Sequence, residues 1–192
     1  TYDNLVNLTK SRGTLENVSL KLLALNLTQG NPEIDNLYIT ADNYKKLTAS
    51  IPEEIINLID TASLDNTINR FKEYKNSDSR NYLHELLNGG AAFYSYAALS
   101  SIIIRRQGNS DLIEIAYTSS DPGITWNTVK LVSEEMKYSY DNLKYKTEYN
   151  YVDNQLEEFI PFKYLITNSQ KFYQLKFINQ NDNEDDVSIF LK

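Results

Sequence analysis

Cysteine is missing from this chain, and histidine, tryptophan and methionine occur once each. Without thiols there is no disulfide, no thiolate nucleophile and no cysteine-built zinc site. The lack does not fix a compartment, because many secreted and periplasmic domains carry no cysteine either. Glycine is scarce, six residues in all, and neither a P-loop nor a G-x-G-x-x-G is present to cradle a phosphate. Cations are outnumbered: 19 Lys and Arg face 26 Asp and Glu, for a net charge of −7. That balance argues against nucleic acid as a partner, since a phosphate backbone calls for surplus positive charge. Long apolar runs are lacking too. A spanning helix takes roughly 20 mainly apolar residues, whereas the stretch Ala91–Ile104 is broken by Ser95, Ser100 and Ser101. Thr1 is not an initiator Met and no basic segment precedes an apolar core, so the sequence reads as a soluble piece of a longer protein or a processed form.

What is there is globular: 192 residues, 41% hydrophobic and 23% charged, the size of one domain. The first half reads as helices. Leu5 and Leu8 begin an apolar stripe, Ser11-Arg12-Gly13 breaks it, and Leu15, Val18, Leu22 and Leu25 resume it at amphipathic spacing. Asn31-Pro32 ends that helix. Thr40 and Asp42 are candidate caps for a helix with Tyr44, Leu47 and Ile51, and Pro52 opens a turn over Ile55, Ile56 and Ile59. Ser63 caps a stripe of Leu64, Ile68 and Phe71, and another helix is expected from near Ser79 to Asn88, stopping at Gly89-Gly90.

The period then changes to two. Ser101–Arg106 is rich in β-branched residues, Gln107-Gly108-Asn109-Ser110 has turn chemistry, and Asp111–Thr118 places Ile113, Ile115 and Tyr117 on one face with Glu114 on the other. A hairpin is predicted, covered by a further strand or helix because two strands alone are marginal. Asp121-Pro122-Gly123 is the strongest helix start, with Asp as cap and Pro at the first helical position. Val129, Val132, Met136, Tyr140 and Leu143 continue that helix, which is expected to reach Leu156 and to leave apolar residues open for self-association. Pro161 breaks it. Beyond, Tyr164–Phe177 alternates loosely and Asn179–Asp186 is acidic and Asn-rich, so the tail reads as a late hairpin or as poorly ordered. The fold class expected is α+β: a small antiparallel sheet packed with several helices and one long C-terminal helix, one version of which is a ferredoxin-like core with a helical insert. The domain is assigned to residues 1–158, with 159–192 as a tail.

Catalytic chemistry finds little support. His84-Glu85-Leu86-Leu87-Asn88 begins like a zinc-protease helix but has Asn where the second ligand belongs, so His84 reads as a partly exposed helical residue. No G-x-S-x-G offers a nucleophile. The pairs Glu53-Glu54, Glu134-Glu135 and Glu157-Glu158 diverge by about 100° on a helix and straddle solvated faces rather than a cleft. Asp182-Asn183-Glu184-Asp185-Asp186 lacks the Gly and spaced Glu of a calcium loop. Sequons at Asn7, Asn17 and Asn26 are about as many as chance gives with 22 Asn and 29 Ser and Thr. The 15 tyrosines and Trp126 read as packing before carbohydrate stacking. No catalytic, cofactor-binding or metal residue is assigned, and no cofactor.

Two segments resemble a known family. Tyr2-Asp3-Asn4-Leu5-Val6-Asn7-Leu8, with Lys10-Ser11-Arg12 and Thr14-Leu15-Glu16-Asn17-Val18, is similar to the opening helices of polysaccharide chain-length determinants, the Wzz-type polysaccharide co-polymerases. Ser110-Asp111-Leu112-Ile113-Glu114-Ile115-Ala116-Tyr117, then Ser119 through Gly123 and a helix with Asn127 and Leu131, resembles that family's strand, Asp-Pro cap and long helix. Asp42-Asn43-Tyr44 and Ile51-Pro52-Glu53-Glu54 fit a branch with an enlarged helical insert. The resemblance covers roughly residues 2–158. It implies a periplasmic domain held at the inner membrane by helices outside this chain. It also implies a homo-oligomer that sets chain length in lipopolysaccharide O-antigen, capsule or exopolysaccharide. The implied partners are a polymerase or export machinery and the growing polysaccharide, and no enzymatic activity of its own is implied. The chain departs from the family after Glu158, where Pro161 and an absence of heptads replace a coiled-coil arm. A carbohydrate-binding or adhesin-like module is the alternative, and a glycan hydrolase with two facing carboxylates a further one.

Overall fold

The computed structural model describes residues 2–108, 112–148, 162–169 and 172–179, with 144–148 and the last two segments described by their backbone. Seven helices come first: α1 (Tyr2–Thr9), α2 (Arg12–Gln29), α3 (Ala41–Ser50), α4 (Glu53–Ile56), α5 (Leu64–Ser77), α6 (Tyr82–Asn88) and α7 (Tyr96–Ser100). A hairpin of β1 (Ile103–Arg106) and β2 (Ile113–Tyr117) follows, then the long α8 (Pro122–Glu148) and the strands β3 (Phe162–Ser169) and β4 (Phe172–Asn179). The expected α+β class is what forms.

Small polar side chains set the helix starts. Ser11, Ser63, Asn81 and Ser95 each accept a hydrogen bond from a backbone N–H of the first turn they precede. The helix foreseen near Ser79 therefore begins at Tyr82, behind its Asn81 cap, and ends at Gly89. Thr40 is the cap position of α3 while Asp42 lies inside the first turn, and Pro52 stands at the cap of α4.

α2 is the central element. The spacing of Leu15, Val18, Leu22 and Leu25 suggests one apolar face, yet Leu20, Leu23, Ala24 and Leu27 are buried as well and Leu25 is half-buried. Nine of its 18 residues are buried, so it is an interior helix covered on several sides rather than a surface amphipath. Its N-terminal half joins Leu5, Leu99, Ile102, Ile115, Tyr117, Val129, Val132 and Met136 in one apolar cluster. Its C-terminal half joins Ile39, Leu47, Ile55, Phe71, Leu83, Leu87 and Ile124 in another. Leu8, placed in the first stripe by its spacing, is exposed because the single buried leucine of α1 is Leu5.

The sheet is antiparallel throughout, in the order β1-β2-β4-β3. Two hairpins joined by α8 meet where Ile115 stands opposite Ile104 on one side and Leu175 on the other. β2 and β3 run in the same direction on either side of β4 with α8 crossing between them, a split β-α-β arrangement of the kind a ferredoxin-like core is built from. β2 is thus an interior strand. Ile115 and Tyr117 belong to the core as their alternation predicts, but Glu114 and Ala116 on the other face are buried too. Of the two readings of the tail, the late hairpin is the one found, and β4 brings residues from beyond 158 into the same sheet as β2. The described part of α8 spans 27 residues, about 40 Å. The stretch 149–156, expected to continue it, lies outside the described residues.

Candidate functional site

The densest polar constellation is built on Asp121, at the corner between β2 and α8. Its carboxylate is buried. One oxygen accepts from the Ile124 backbone N–H at 3.0 Å, capping α8. The other accepts three bonds from the start of α3: Thr40 N–H at 2.9 Å, Thr40 Oγ1 at 2.8 Å and Asn43 Nδ2 at 2.7 Å. A single carboxylate therefore faces two helix N-termini, whose partial positive charges favour it. This explains why Thr40 makes no cap bond to its own helix: its hydroxyl is committed to Asp121. Asn127 extends the junction by donating to the Leu37 carbonyl at 2.8 Å. Gly123 completes it, because a Cβ there would lie 2.6–2.8 Å from the backbone of Tyr38 and Ile39. With both oxygens occupied by the protein's own donors, Asp121 is an architectural group.

A second polar seam crosses the core. Ser19 Oγ donates to the Tyr94 carbonyl at 2.5 Å and Asn26 Nδ2 to the Tyr94 hydroxyl at 2.9 Å. Burial, partly offset by the Asn26 bond, pushes the Tyr94 phenol well above its ordinary value, with Asp121 and Tyr82 adding to the rise. Asn26 Oδ1 and Thr128 Oγ1 are buried without a hydrogen-bond partner. The sequon at Asn26 is therefore inside the protein, while Asn7 is exposed.

The remaining candidates do not converge. His84 is half-buried on α6; its backbone N–H donates to the Asn81 cap and its carbonyl accepts from Asn88 Nδ2 at 2.8 Å. Glu54 accepts from the Tyr74 hydroxyl at 2.5 Å, a bond that raises the Tyr74 pKa together with its partial burial. Glu53 is exposed beside it. Glu135 is tied to Lys21 at 2.7 Å and Glu134 is exposed, so neither pair faces a partner carboxylate across a cleft. Glu157-Glu158 and the run 182–186 lie outside the described residues. No group of side chains that could hold a metal occurs among the described residues. Glu114 pairs with Arg105 at 2.6 Å, so its burial is matched by a basic partner, and it stands opposite Lys176 in the strand register.

Among the described residues tyrosine is mostly packing material. Tyr94 and Tyr117 are buried, Tyr44, Tyr74, Tyr82 and Tyr96 lie against the apolar clusters, and Trp126 is half-buried. Tyr138 and Tyr140 are open, at 67% and 37%. Two residues apart on a helix, they point about 200° from each other and cannot form one flat stacking platform. In the stripe along α8, Val129, Val132 and Met136 are buried, Leu143 is half-buried and Tyr140 is exposed, and the side chains beyond Leu143, where the helix is expected to leave apolar residues open, lie outside those described. Exposed apolar side chains also lie on the loop between α2 and α3 (Ile34 65%, Leu37 78%) and on β1 (Ile103 50%). Periodicity analysis missed both because they lie on a loop and on an edge strand. Among the described residues no helix is long and apolar enough to cross a membrane. No protein-family model matches the chain, and no curated protein or solved structure is significantly similar to it.

Proposed function

We propose that this chain is the periplasmic part of a non-enzymatic, self-associating regulator of chain length in bacterial surface polysaccharide, anchored at the inner membrane through segments outside it. The observation that carries this reading is one of order. The segments resembling chain-length determinants lie in α1–α2 and in the run from β2 through Asp121-Pro122-Gly123 into α8, and these elements pack on one another around one apolar cluster. In the proposed arrangement, protomers pack side by side and present a surface that limits or times extension by a partner polymerase or export machinery. The test is deletion of the gene encoding this chain, with the length distribution of surface polysaccharide compared on a gel. A broadened or shifted distribution, restored by the intact gene, is expected. An unchanged distribution overturns the reading and directs attention to glycan binding by the chain itself.

A further inference from the structure

We infer that Asn88 is a deamidation site, converted to aspartate and isoaspartate when the last turn of α6 opens. The inference stands apart from the chain-length reading. Asn88-Gly89 is the one Asn-Gly pair in the sequence, and both residues are exposed. Glycine leaves its own backbone nitrogen the least hindered of any residue, so this pair closes a ring most readily. In the reaction the Gly89 nitrogen, having given up its proton to solvent base, attacks Asn88 Cγ. A C–N bond forms, the Cγ–Nδ2 bond breaks, and ammonia leaves carrying a proton supplied by water. Water then opens the five-membered succinimide at either carbonyl, giving aspartate or isoaspartate.

The fold both builds this pair and restrains it. Gly89 is the cap residue of α6, and its N–H donates to the Glu85 carbonyl at 2.7 Å. A Cβ there would stand 2.7 Å from that same oxygen, so the cap calls for glycine. The nitrogen that must attack is thus a committed donor, and baring it breaks the cap bond. The amide under attack is held as well: Asn88 Nδ2 donates to the His84 carbonyl at 2.8 Å, and Asn88 Oδ1 accepts from the Arg12 guanidinium. Ring closure needs the amide carbon turned onto the following nitrogen, so these bonds have to part first. They sit at the exposed end of a seven-residue helix, the kind of segment that opens locally at little cost. The product carboxylate lies at the negative end of α6, which disfavours it, with Arg12 beside it to replace a neutral hydrogen bond by an ion pair.

The test incubates the folded 192-residue chain at mildly alkaline pH beside a sample in guanidinium chloride. Conversion is followed in the tryptic peptide Asn81–Arg105 by mass and by separation of the isoaspartyl form. Asn88 is expected to convert in both samples, severalfold more slowly in the folded chain. Asn81→Ala removes the N-cap oxygen that accepts from His84 N–H, together with a bond to the Tyr74 carbonyl. It should quicken the folded reaction about fivefold or more, the shift in opening that a lost cap of ~1 kcal/mol gives, and leave the denatured rate unchanged. Asn88→Gln should abolish the signal. A signal that survives Asn88→Gln, or a folded chain left unconverted when the denatured sample has reacted completely, overturns the inference. Equal rates in the folded and denatured wild type overturn the gating by α6, as does an Asn81→Ala rate like that of wild type. Should Asn81→Ala not fold, the wild-type comparison decides the gating alone. None of these results bears on chain-length control, which the polysaccharide gel tests.

Discussion

Thr128 and Asn26 show how single polar atoms are treated in this interior. Each carries a buried oxygen without a partner, and an unmet buried polar group costs about 1–3 kcal/mol. Thr128→Val removes the orphaned hydroxyl while keeping the branched shape, so chemical denaturation should show it neutral or more stable by about 1 kcal/mol. Asn26 differs because its amide nitrogen already serves Tyr94. Replacing it by Leu would leave the Tyr94 hydroxyl buried without that donor, so its loss should be felt where that of the Thr128 hydroxyl is not. Nothing in the local sequence distinguishes the two residues. Their difference comes from what faces them across the α2–α8 and α2–Tyr94 contacts, which lie far apart in the chain.

At the scale of elements, Asp121 decides how α3 and α8 meet. Asp121→Ala leaves four donors without their acceptor and should cost about 3 kcal/mol or more in urea unfolding. Asp121→Asn should recover only part of this, because the amide can accept from Ile124 but turns its own N–H groups toward the donors of Thr40 and Asn43. Equal stability of Asn and wild type would show that the α3 bonds contribute little. The cap on α8 was legible in Asp-Pro-Gly, a local signal. Its second duty was not, since Thr40 lies 81 residues away. Apart from the short α7, helix existence followed from apolar spacing and capping residues, and the hairpin from its period of two. The interior position of β2, and with it the burial of Glu114, depends on pairing with β4, which alternation within one strand cannot reveal. The exposed loop between α2 and α3 was the least legible part. Ile34 and Leu37 look like ordinary loop residues until the side-chain bonds fixing their backbone are known.

For the molecule as a whole, buried phenols set the alkaline limit. Burial raises the pKa values of Tyr94, Tyr117 and Tyr82, with Tyr94 moved furthest. A raised folded value means the neutral phenol is favoured in the fold. The associated stability is complete below the unfolded value of about 10 and is lost as pH rises from there through the folded values. The melting temperature should therefore fall steadily above pH ~10, and Tyr94→Phe should flatten that fall while lowering stability near neutrality through its lost Asn26 bond. An equally steep fall in the variant would assign the alkaline limit to other groups. Glu16 acts at the opposite end: burial opposes its ionisation, but Lys75 and Arg12 outweigh that and hold its pKa below the usual value. Its contribution is present above the unfolded value, about 4.3, and fades as pH falls through the folded one.

The Asp121 junction also orders events during synthesis. Thr40 leaves the ribosome 81 residues before the carboxylate that receives its N–H and hydroxyl. At about 5–20 residues per second, that interval is on the order of 10 s. Throughout it the start of α3 lacks its acceptor, and the loop presenting Ile34 and Leu37 lacks the brace from Asn127. The N-terminal helices of a nascent chain thus wait, incompletely fastened, for a corner made late, and that interval is when holding factors have their best access to them.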